Sequence, residues 1–543
     1  MSMNELLKVC HLSVSFPDDD PYDGIEERDT VIRDLSFSME KGDILGVVGE
    51  SGSGKSMTAL SVIRLLKKTA RIDSGEILFQ GKDLFSLSEE ELCDLRGLGI
   101  SMIFQEPMTS LNPVLRIEAQ VAEAIKLHAH MNSHDSQNGK SLSAEEVHQK
   151  VIRVLTDVGL PDPEGVCRMY PHELSGGMRQ RVMIAAALIT DPSLLIADEP
   201  TTALDVLVQE QILDLLKEIH ERTGVAILFI SHDLHVIRRL CDRVLVMYQG
   251  QIVEEGEVKE VLDHPKHEYT KTLVARIPSV TTIPGKDPVL QMDDVTIYYP
   301  PRGASSGLFR KAKLEPYVYG ASLKLFENEI LGIVGGSGSG KSTIGKVLTG
   351  LHGIYDGTIQ LFGKPLTDVL KTDQRPQMIF QDPYSALNPA HTIGWTLMET
   401  LRSKGIRTKE EQQKMALEML KEVGLPETIF GRYPRDLSGG QRQRCCIGQA
   451  LLYDPRILIA DEPVSALDVT VSSQVLELLL KLQKERNMSM IFVSHDMNIV
   501  RMICHRVIVL EHGRIVEEGS AEEIFEHPKH PYTQKLIRAA MLE

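Results

Sequence analysis

Short, unbroken apolar runs recur along a chain whose other segments mix polar and apolar positions. Residues 44–48 (ILGVV), 194–197 (LLIA) and 226–230 (AILFI) are of this kind. Continuous runs of that length, without period-two alternation, suit parallel strands buried on both faces. The order around them is early strands, a glycine-rich loop with a helix, a helix-rich middle, then two apolar strands ending at Asp-Glu and Ser-His. That order predicts an α/β fold. The longest apolar stretches, such as residues 182–189 and 225–230, fall well short of the ~20 residues a spanning helix needs. The opening MSMNELLKVCHLSVSF breaks its apolar positions with polar ones, so no signal peptide is expected and the chain is expected to stay in the cytoplasm.

The whole order occurs twice. GESGSGKS from Gly49 returns as GGSGSGKS from Gly335, and MIFQEP with Gln105 returns as MIFQDP with Gln381. LSGGMRQR with Ser175 returns as LSGGQRQR with Ser438, LLIADEP with Asp198 as ILIADEP with Asp461, and LFISHD with His232 as IFVSHD with His495. Equivalent positions stand 286 residues apart at Lys55 and Lys341, 276 apart at the glutamines and a constant 263 apart from LSGG onward. The copies therefore differ in loops. Much of the difference coincides with the polar stretch 128–146, which reads as a surface insertion of the first copy. Proline, glycine and small polar residues interrupt both periodicities over residues 277–288. The expected organisation is a first domain over residues 1–280, a linker over 281–290 and a second domain over 291–543.

Composition agrees with two soluble domains. At 543 residues the chain is too long for one core, and 42% hydrophobic with 25% charged residues excludes global disorder. Seven scattered cysteines without a C-x-x-C pair match neither a disulfide framework nor a zinc site. A net charge of -17 argues against broad binding to phosphate backbones, so no nucleic-acid partner is expected.

The repeated motifs carry phosphate chemistry. In GxxxxGKS, glycines let successive backbone N–H groups curl around phosphate oxygens at the positive end of a helix. The first loop comprises Gly49, Ser51, Gly52, Ser53, Gly54, Lys55, Ser56 and Met57; the second comprises Gly335, Ser337, Gly338, Ser339, Gly340, Lys341, Ser342 and Thr343. Lys55 and Lys341 are expected to neutralise the β and γ phosphates of a bound nucleotide, and the Ser56 and Ser342 hydroxyls to ligate Mg²⁺. A strand ending in Asp-Glu sets carboxylates at the carboxyl edge of a parallel sheet, where such sheets bind ligands. Asp198 and Asp461 are the expected Mg²⁺ partners, through water, and Glu199 and Glu462 are candidates to polarise the attacking water.

Together these segments resemble the ATP-binding-cassette family: Walker A, Q-loop, LSGGQ, Walker B with its adjoining glutamate, D-loop and H-loop, each present twice across essentially the whole chain. The resemblance implies two tandem P-loop NTPase domains, each with a RecA-like parallel-sheet core, an antiparallel β subdomain and a helical subdomain. It implies that Gln105 and Gln381 contact Mg²⁺ and the γ-phosphate, and that His232 and His495 hold the γ-phosphate and the water. It further implies that Ser175, Gly176 and Gly177, like Ser438, Gly439 and Gly440, open helices facing the γ-phosphate of the opposite domain, so that the halves pair head to tail. Phe16 and Tyr299, in equivalent places, are either adenine-stacking aromatics or ordinary packing. The first copy reads LSGGM, and Gly336 stands where the first has Glu50. Neither departure removes a catalytic group, so both sites are expected to be competent.

The two copies end alike, HPKHEYTKTLVARIP from His264 and HPKHPYTQKLIRAAMLE from His527, and SLNP or ALNP follows each Q-loop. These features resemble the ATPases of bacterial dipeptide, oligopeptide and nickel importers, here with two such subunits fused. The resemblance implies two transmembrane permease subunits and an extracytoplasmic solute-binding protein as partners, and peripheral attachment at the cytoplasmic face of the inner membrane. It places the receiving groove for permease helices in residues 106–113 and 382–389. The His-x-x-His spacing of the tails has no evident third ligand for a metal, and no Cys-rich iron–sulfur tail is present. The competing class is a soluble twin cassette acting on ribosomes or nucleic acid. The long charged linker helix, basic tail or zinc modules usual there are missing.

Overall fold

The computed structural model describes residues 4–17, 28–105, 110–129, 143–202, 204–274, 279–300, 314–465 and 467–540. The chain divides into two compact units, the first taking in Met1–Leu204 and Val208–Ala275 and the second Asp205–Leu207 and Arg276–Glu543. Both are built on one plan.

In the first unit β1 (Glu5–Pro17), β2 (Arg28–Glu40), β3 (Ile44–Val48), β4 (Arg71–Phe79), β5 (Lys82–Asp83), β6 (Ile100–Ile103), β7 (Leu194–Asp198), β8 (Ala226–Ile230), β9 (Arg243–Tyr248) and β10 (Gln251–Glu257) make two sheets. One is antiparallel, in the order β2-β1-β4-β5. The other runs β10-β9-β3-β8-β7-β6 and is parallel except at its β9–β10 edge. The second unit repeats this with β11 (Pro288–Tyr299), β12 (Glu315–Phe326), β13 (Ile330–Gly335), β14 (Tyr355–Leu361), β15 (Lys364–Pro365), β16 (Gln377–Ile379), β17 (Ile457–Asp461), β18 (Ser489–Val493), β19 (Arg506–Glu511) and β20 (Arg514–Ser520). Its sheets read β12-β11-β14-β15 and β16-β17-β18-β13-β19-β20. Among the described residues, helices account for most of the regular structure between the glutamine and LSGG in both units.

Every residue of β3, β7 and β8 is buried, as their unbroken apolar sequences demand. Parallel register then does the positioning. Leu45 sits opposite Leu228 and Asp198 opposite Ile230, so the ends of β3, β7 and β8 meet at one edge of the sheet. The glycine-rich loop, the Asp-Glu pair and the Ser-His pair all lie at that edge.

Two sequence expectations change in detail. The stretch 128–146 is not loop throughout: His128 is buried, and Ser143 with Glu146 forms a capping box that starts the helix Ala144–Asp157. Residues 130–142 lie outside the described residues. Residues 280–285, within the stretch expected to form the linker, lie along the second unit. Val280 donates its N–H to the Met502 carbonyl (3.0 Å), Gly285 donates to the Glu327 carbonyl (2.6 Å), and His505 Nε2 meets the Thr282 carbonyl (2.8 Å). Such long-range backbone bonds leave no periodicity to read.

Candidate active site

β3 leads into the loop at Gly49 and the helix Lys55–Val62, and β13 leads into Gly335 and the helix Lys341–Leu348. Close approach dictates the first glycine: a Cβ on Gly49 would lie 2.2 Å from the Met247 carbonyl oxygen, and one on Gly335 2.2 Å from that of Leu510. Gly54 and Gly340 hold φ of 99° and 103°, so each helix opens on a residue without a side-chain cap. Its first N–H groups are thereby directed at an anion site. Ser51, Gly52, Ser337 and Gly338 form the exposed crest, while Met57 and Thr343 belong to the first helical turn.

The loops fit a polyphosphate on further grounds. The Ser53 and Ser339 hydroxyls are buried with no hydrogen-bond partner, which is uncommon unless a ligand completes the set. Lys55 Nζ donates to the carbonyls of Gly49 (2.7 Å) and Glu50 (2.9 Å), and Lys341 Nζ to those of Gly335 (2.8 Å) and Gly336 (2.9 Å). Each lysine is thus held against its own loop.

Asp198 and Asp461 end their strands, buried, and accept from Ser56 Oγ at 3.0 Å and Ser342 Oγ at 2.9 Å. Burial pushes the Asp198 carboxyl up to about 6 against the Ser56 hydrogen bond, and raises Asp461 in the same way. A hydroxyl and a carboxylate beside a phosphate loop form an oxygen donor set of the kind Mg²⁺ takes.

The next residue is the most constrained. Glu199 and Glu462 adopt φ of 47° and 48°, a left-handed conformation costing a non-glycine residue about 1–2 kcal/mol. It is held by the strand beside it, Glu199 donating its N–H to the Ile230 carbonyl and Glu462 to that of Val493, both at 2.9 Å. The Glu199 carboxylate accepts from Gln105 Nε2 (2.9 Å) and Thr202 Oγ1 (2.9 Å) and meets His232 Nδ1 at 3.3 Å. Glu462 accepts from Gln381 Nε2 (2.7 Å) and meets His495 Nδ1 at 3.3 Å. Burial opposes ionisation of Glu199, but hydrogen bonding and charge from His232 lead the groups that bring it down to about 2. Glu462 is lowered likewise by His495, and both histidines are raised, chiefly by their glutamates. Each unit thus brings together, at the edge of its parallel sheet, the glutamine, glutamate and histidine that stand far apart in sequence.

Ser175 caps the helix Gly176–Leu188, its Oγ accepting from the Met178 N–H at 3.3 Å; Ser438 caps Gly439–Leu451, accepting from the Gln441 N–H at 3.4 Å. Gln441 Oε1 returns a bond to the Ser438 N–H (3.1 Å). Met178 has no side-chain acceptor with which to do so. Gly177 and Gly440 leave no room for a side chain, since a Cβ would fall 2.7 Å from Val208 and 2.3 Å from Val471. Phe16 is half-buried at the end of β1, packed on the core. Tyr299 ends β11 stacked on His352 (centroids 4.3 Å apart, 22°) and edge-on to Tyr317 (5.5 Å, 76°).

The sequence reading missed Thr202 as a partner of Glu199, and missed two tyrosines in the tails. Glu50 donates its N–H to Tyr269 Oη at 2.9 Å, and Gly336 donates to Tyr532 Oη at 2.7 Å. A sign was available: Tyr269 and Tyr532 stand 263 residues apart, in phase with LSGG, Asp-Glu and Ser-His.

The chain is similar to known proteins along nearly its whole length. The family model described as ABC transporter matches residues 32–202 and 318–465, and that described as the oligopeptide/dipeptide transporter C-terminal region matches residues 253–292 and 516–542. The glutathione import ATP-binding protein GsiA of Salmonella paratyphi A is 40% identical over 99% of this chain and 90% of its own length, and the protein of the same name in Escherichia coli K12 gives the same figures. A solved dimeric ATP-binding cassette in a post-hydrolysis state, bound to ADP and Pi, is 26% identical over 47% of this chain and 99% of its own, with a TM-score of 0.39. Because the cassette match covers both loops and both Asp-Glu strands, and the kinship runs nearly end to end, the chain belongs to the ABC transporter family and is an ATPase with two cassettes.

Proposed function

We propose that this chain powers uptake of a short peptide or glutathione-like solute across the cytoplasmic membrane, through permease subunits, by hydrolysing MgATP at two sites. The observation that supports import is the oligopeptide/dipeptide-type C-terminal region present in both halves. The 40% identity to proteins named for glutathione import points the same way. Among the described residues, no helix is long and apolar enough to cross a membrane. In this reading, which rests on the likeness to import ATP-binding proteins, the path for solute belongs to two permease subunits and its capture to an extracytoplasmic binding protein, with this chain docked at the cytoplasmic face.

In this reading Lys55 and Lys341, held against their loop carbonyls, also donate to the β and γ phosphates. Ser56, Asp198 and Gln105 would hold Mg²⁺ in one site and Ser342, Asp461 and Gln381 in the other, where it supplies charge neutralisation on the phosphate oxygens. Water oxygen bonds to the γ-phosphorus, the bond to the β,γ-bridging oxygen breaks, and Glu199 or Glu462 accepts the water's proton. His232 and His495 hold the γ-phosphate and that water. Each site is completed by the LSGG of the other half. Adenine stacks on Phe16 in the first site and Tyr299 in the second.

The test is uptake in a strain deleted for the chain and complemented with it, measured for labelled glutathione, di- and tripeptides and nickel. Restoration of peptide or glutathione uptake, lost again on Lys55→Ala with Lys341→Ala, is the expected result. Restoration of nickel uptake alone would reassign the cargo, and restoration of none would overturn import.

A further inference from the structure

In both halves the C-terminal motif reaches back to the phosphate loop. Its turn is anchored on the edge strand: Glu254 of β10 accepts from the N–H groups of Lys266 (2.9 Å) and His267 (3.0 Å), and Glu517 of β20 from those of Lys529 (2.8 Å) and His530 (3.0 Å). His267 Nδ1 accepts from the Tyr269 N–H at 3.2 Å, and His530 Nδ1 from the Tyr532 N–H at 3.3 Å. These acceptors fix the turn and so aim the tyrosine it carries. Tyr269 is buried and also stacks on Tyr248, with centroids 4.3 Å apart.

The bond each phenol receives gains importance from the other end of the same peptide group. The Glu50 N–H and the Gly49 carbonyl belong to one planar unit. Tyr269 Oη accepts at one edge of it, and Lys55 Nζ donates to the other at 2.7 Å. The second half repeats this, with Tyr532 on the Gly336 N–H at 2.7 Å and Lys341 on the Gly335 carbonyl at 2.8 Å. Gly49 and Gly335, at φ 154° and 150°, have no side chain to hold the peptide plane themselves. A plane bonded at both edges cannot turn without breaking one bond, so the phenol fixes the carbonyl on which the lysine rests.

We infer that Tyr269 and Tyr532 are positioning residues of the ATP sites, their hydroxyls locking the first peptide of each phosphate loop in the orientation that accepts nucleotide. The inference rests on reading the two loops as ATP sites. It gives the C-terminal region a task at the nucleotide, carried by an oxygen atom rather than by the aromatic ring.

The experiment compares the full-length chain, Tyr269→Phe with Tyr532→Phe, and Lys55→Ala with Lys341→Ala. Each is assayed for equilibrium binding of a fluorescent ATP analogue, for ATPase kinetics and for thermal unfolding. Loss of one hydrogen bond from a part-buried N–H is expected to weaken ATP binding and raise KM by roughly five- to tenfold. The kcat should stay within about twofold, because the hydroxyl touches no reacting atom. The unfolding midpoint should not move with the affinity. Unchanged affinity in the tyrosine variant, where the lysine variant has lost it, overturns the inference, and so does an affinity loss that follows a fall in unfolding midpoint. Normal nucleotide binding by the lysine variant would instead overturn the reading of the loops. Amide exchange in the unsubstituted, nucleotide-free chain gives an independent check, since unprotected Glu50 and Gly336 N–H groups would also overturn the inference.

Discussion

Gln105 and Glu199 are joined side chain to side chain, Gln105 Nε2 donating to Glu199 Oε2 over 2.9 Å, and Gln381 and Glu462 repeat the bond over 2.7 Å. The glutamine follows the edge strand that leads into the helical part of the unit, whereas the glutamate directly follows the neighbouring strand of the sheet. Their bond ties these two parts together at the carboxylate proposed as base. Nucleotide that drew the glutamine to its γ-phosphate, as proposed, would break or share that bond, and occupancy of the site would then reach the helical part by one side chain.

Glu199→Gln with Glu462→Gln should abolish turnover, lowering it at least about a hundredfold, while ATP remains bound. The amide keeps the shape and can still accept from Gln105, but it cannot take a proton from water. Steady-state phosphate release and retention of labelled nucleotide after gel filtration measure the two halves of the expectation. Near-normal turnover would show that the base is another residue.

Much of this site was legible before the fold was seen, for a physical reason. Buried parallel strands must be apolar throughout, so β3, β7 and β8 announce themselves, and the loops that follow them carry the chemistry at the sheet edge. Duplication then separated meaningful residues from chance ones. What escaped notice were bonds between an ordinary side chain and a backbone N–H: Tyr269 on Glu50, Tyr532 on Gly336, and Glu254 on the tail turn. A backbone N–H is present at almost every residue, so its partner cannot be picked out by residue type. The left-handed backbone of Glu199 and Glu462 was equally hidden, because strand pairing rather than residue type imposes it.

The tail anchors predict a pH dependence of stability. Burial works against ionisation of Glu254 and Glu517, yet the neighbouring Thr270 and Thr533 hydroxyls, and after them the N–H donors of the tail turn, hold both carboxyls below the ordinary value of 4.5. A folded-state value below the unfolded one stabilises the fold above about 4.5, and the contribution is lost as pH falls through the folded value. Thermal unfolding between pH 7 and 3 should therefore fall more steeply for the unsubstituted chain than for Glu254→Gln with Glu517→Gln, which starts lower and changes less. Parallel curves would show that these carboxylates do not anchor the tails.

Tyr384 offers a test of permease docking. It is 61% exposed, in the segment after Gln381, and Arg442 of the LSGG helix stacks its guanidinium 3.6 Å from the ring centroid. Tyr384→Asp leaves a carboxylate beside that arginine, so the fold should tolerate it while the exposed aromatic surface is lost. Uptake should drop several-fold further than ATPase activity in reconstituted vesicles containing the permeases. Met108, the matching position of the first half, lies outside the described residues, and Met108→Asp is expected to act in the same way. Transport that stays proportional to ATPase activity in both variants would place the docking surface elsewhere.

Head-to-tail pairing makes the sharpest prediction. Within each unit, the loop lysine, the Ser-Asp pair and the Gln-Glu-His cluster would, in the proposed reading, account for phosphate, metal and water. A second helix start, capped by Ser175 or Ser438, would then be redundant for its own nucleotide, which is why the proposed reading assigns it to the nucleotide of the other half. One site would combine Lys55, Ser56, Gln105, Asp198, Glu199 and His232 with Ser438 and Gly440. The other would combine Lys341, Ser342, Gln381, Asp461, Glu462 and His495 with Ser175 and Gly177. Changes that strike one site should not compound, whereas changes in different sites should. Lys55→Ala with Ser438→Arg is therefore expected to match Lys55→Ala alone in residual ATPase activity, and Lys55→Ala with Ser175→Arg to be clearly worse. The reverse order would favour self-contained sites. If strict cooperativity silences every single variant, cross-linking decides instead: cysteines placed at Ser53 and Ser438 in a background without the native seven should form a disulfide that depends on ATP. Five of those native cysteines are buried, so their replacements must match volume for the chain to stay folded. A disulfide that forms equally without nucleotide, or not at all, would separate the two loops from the composite arrangement.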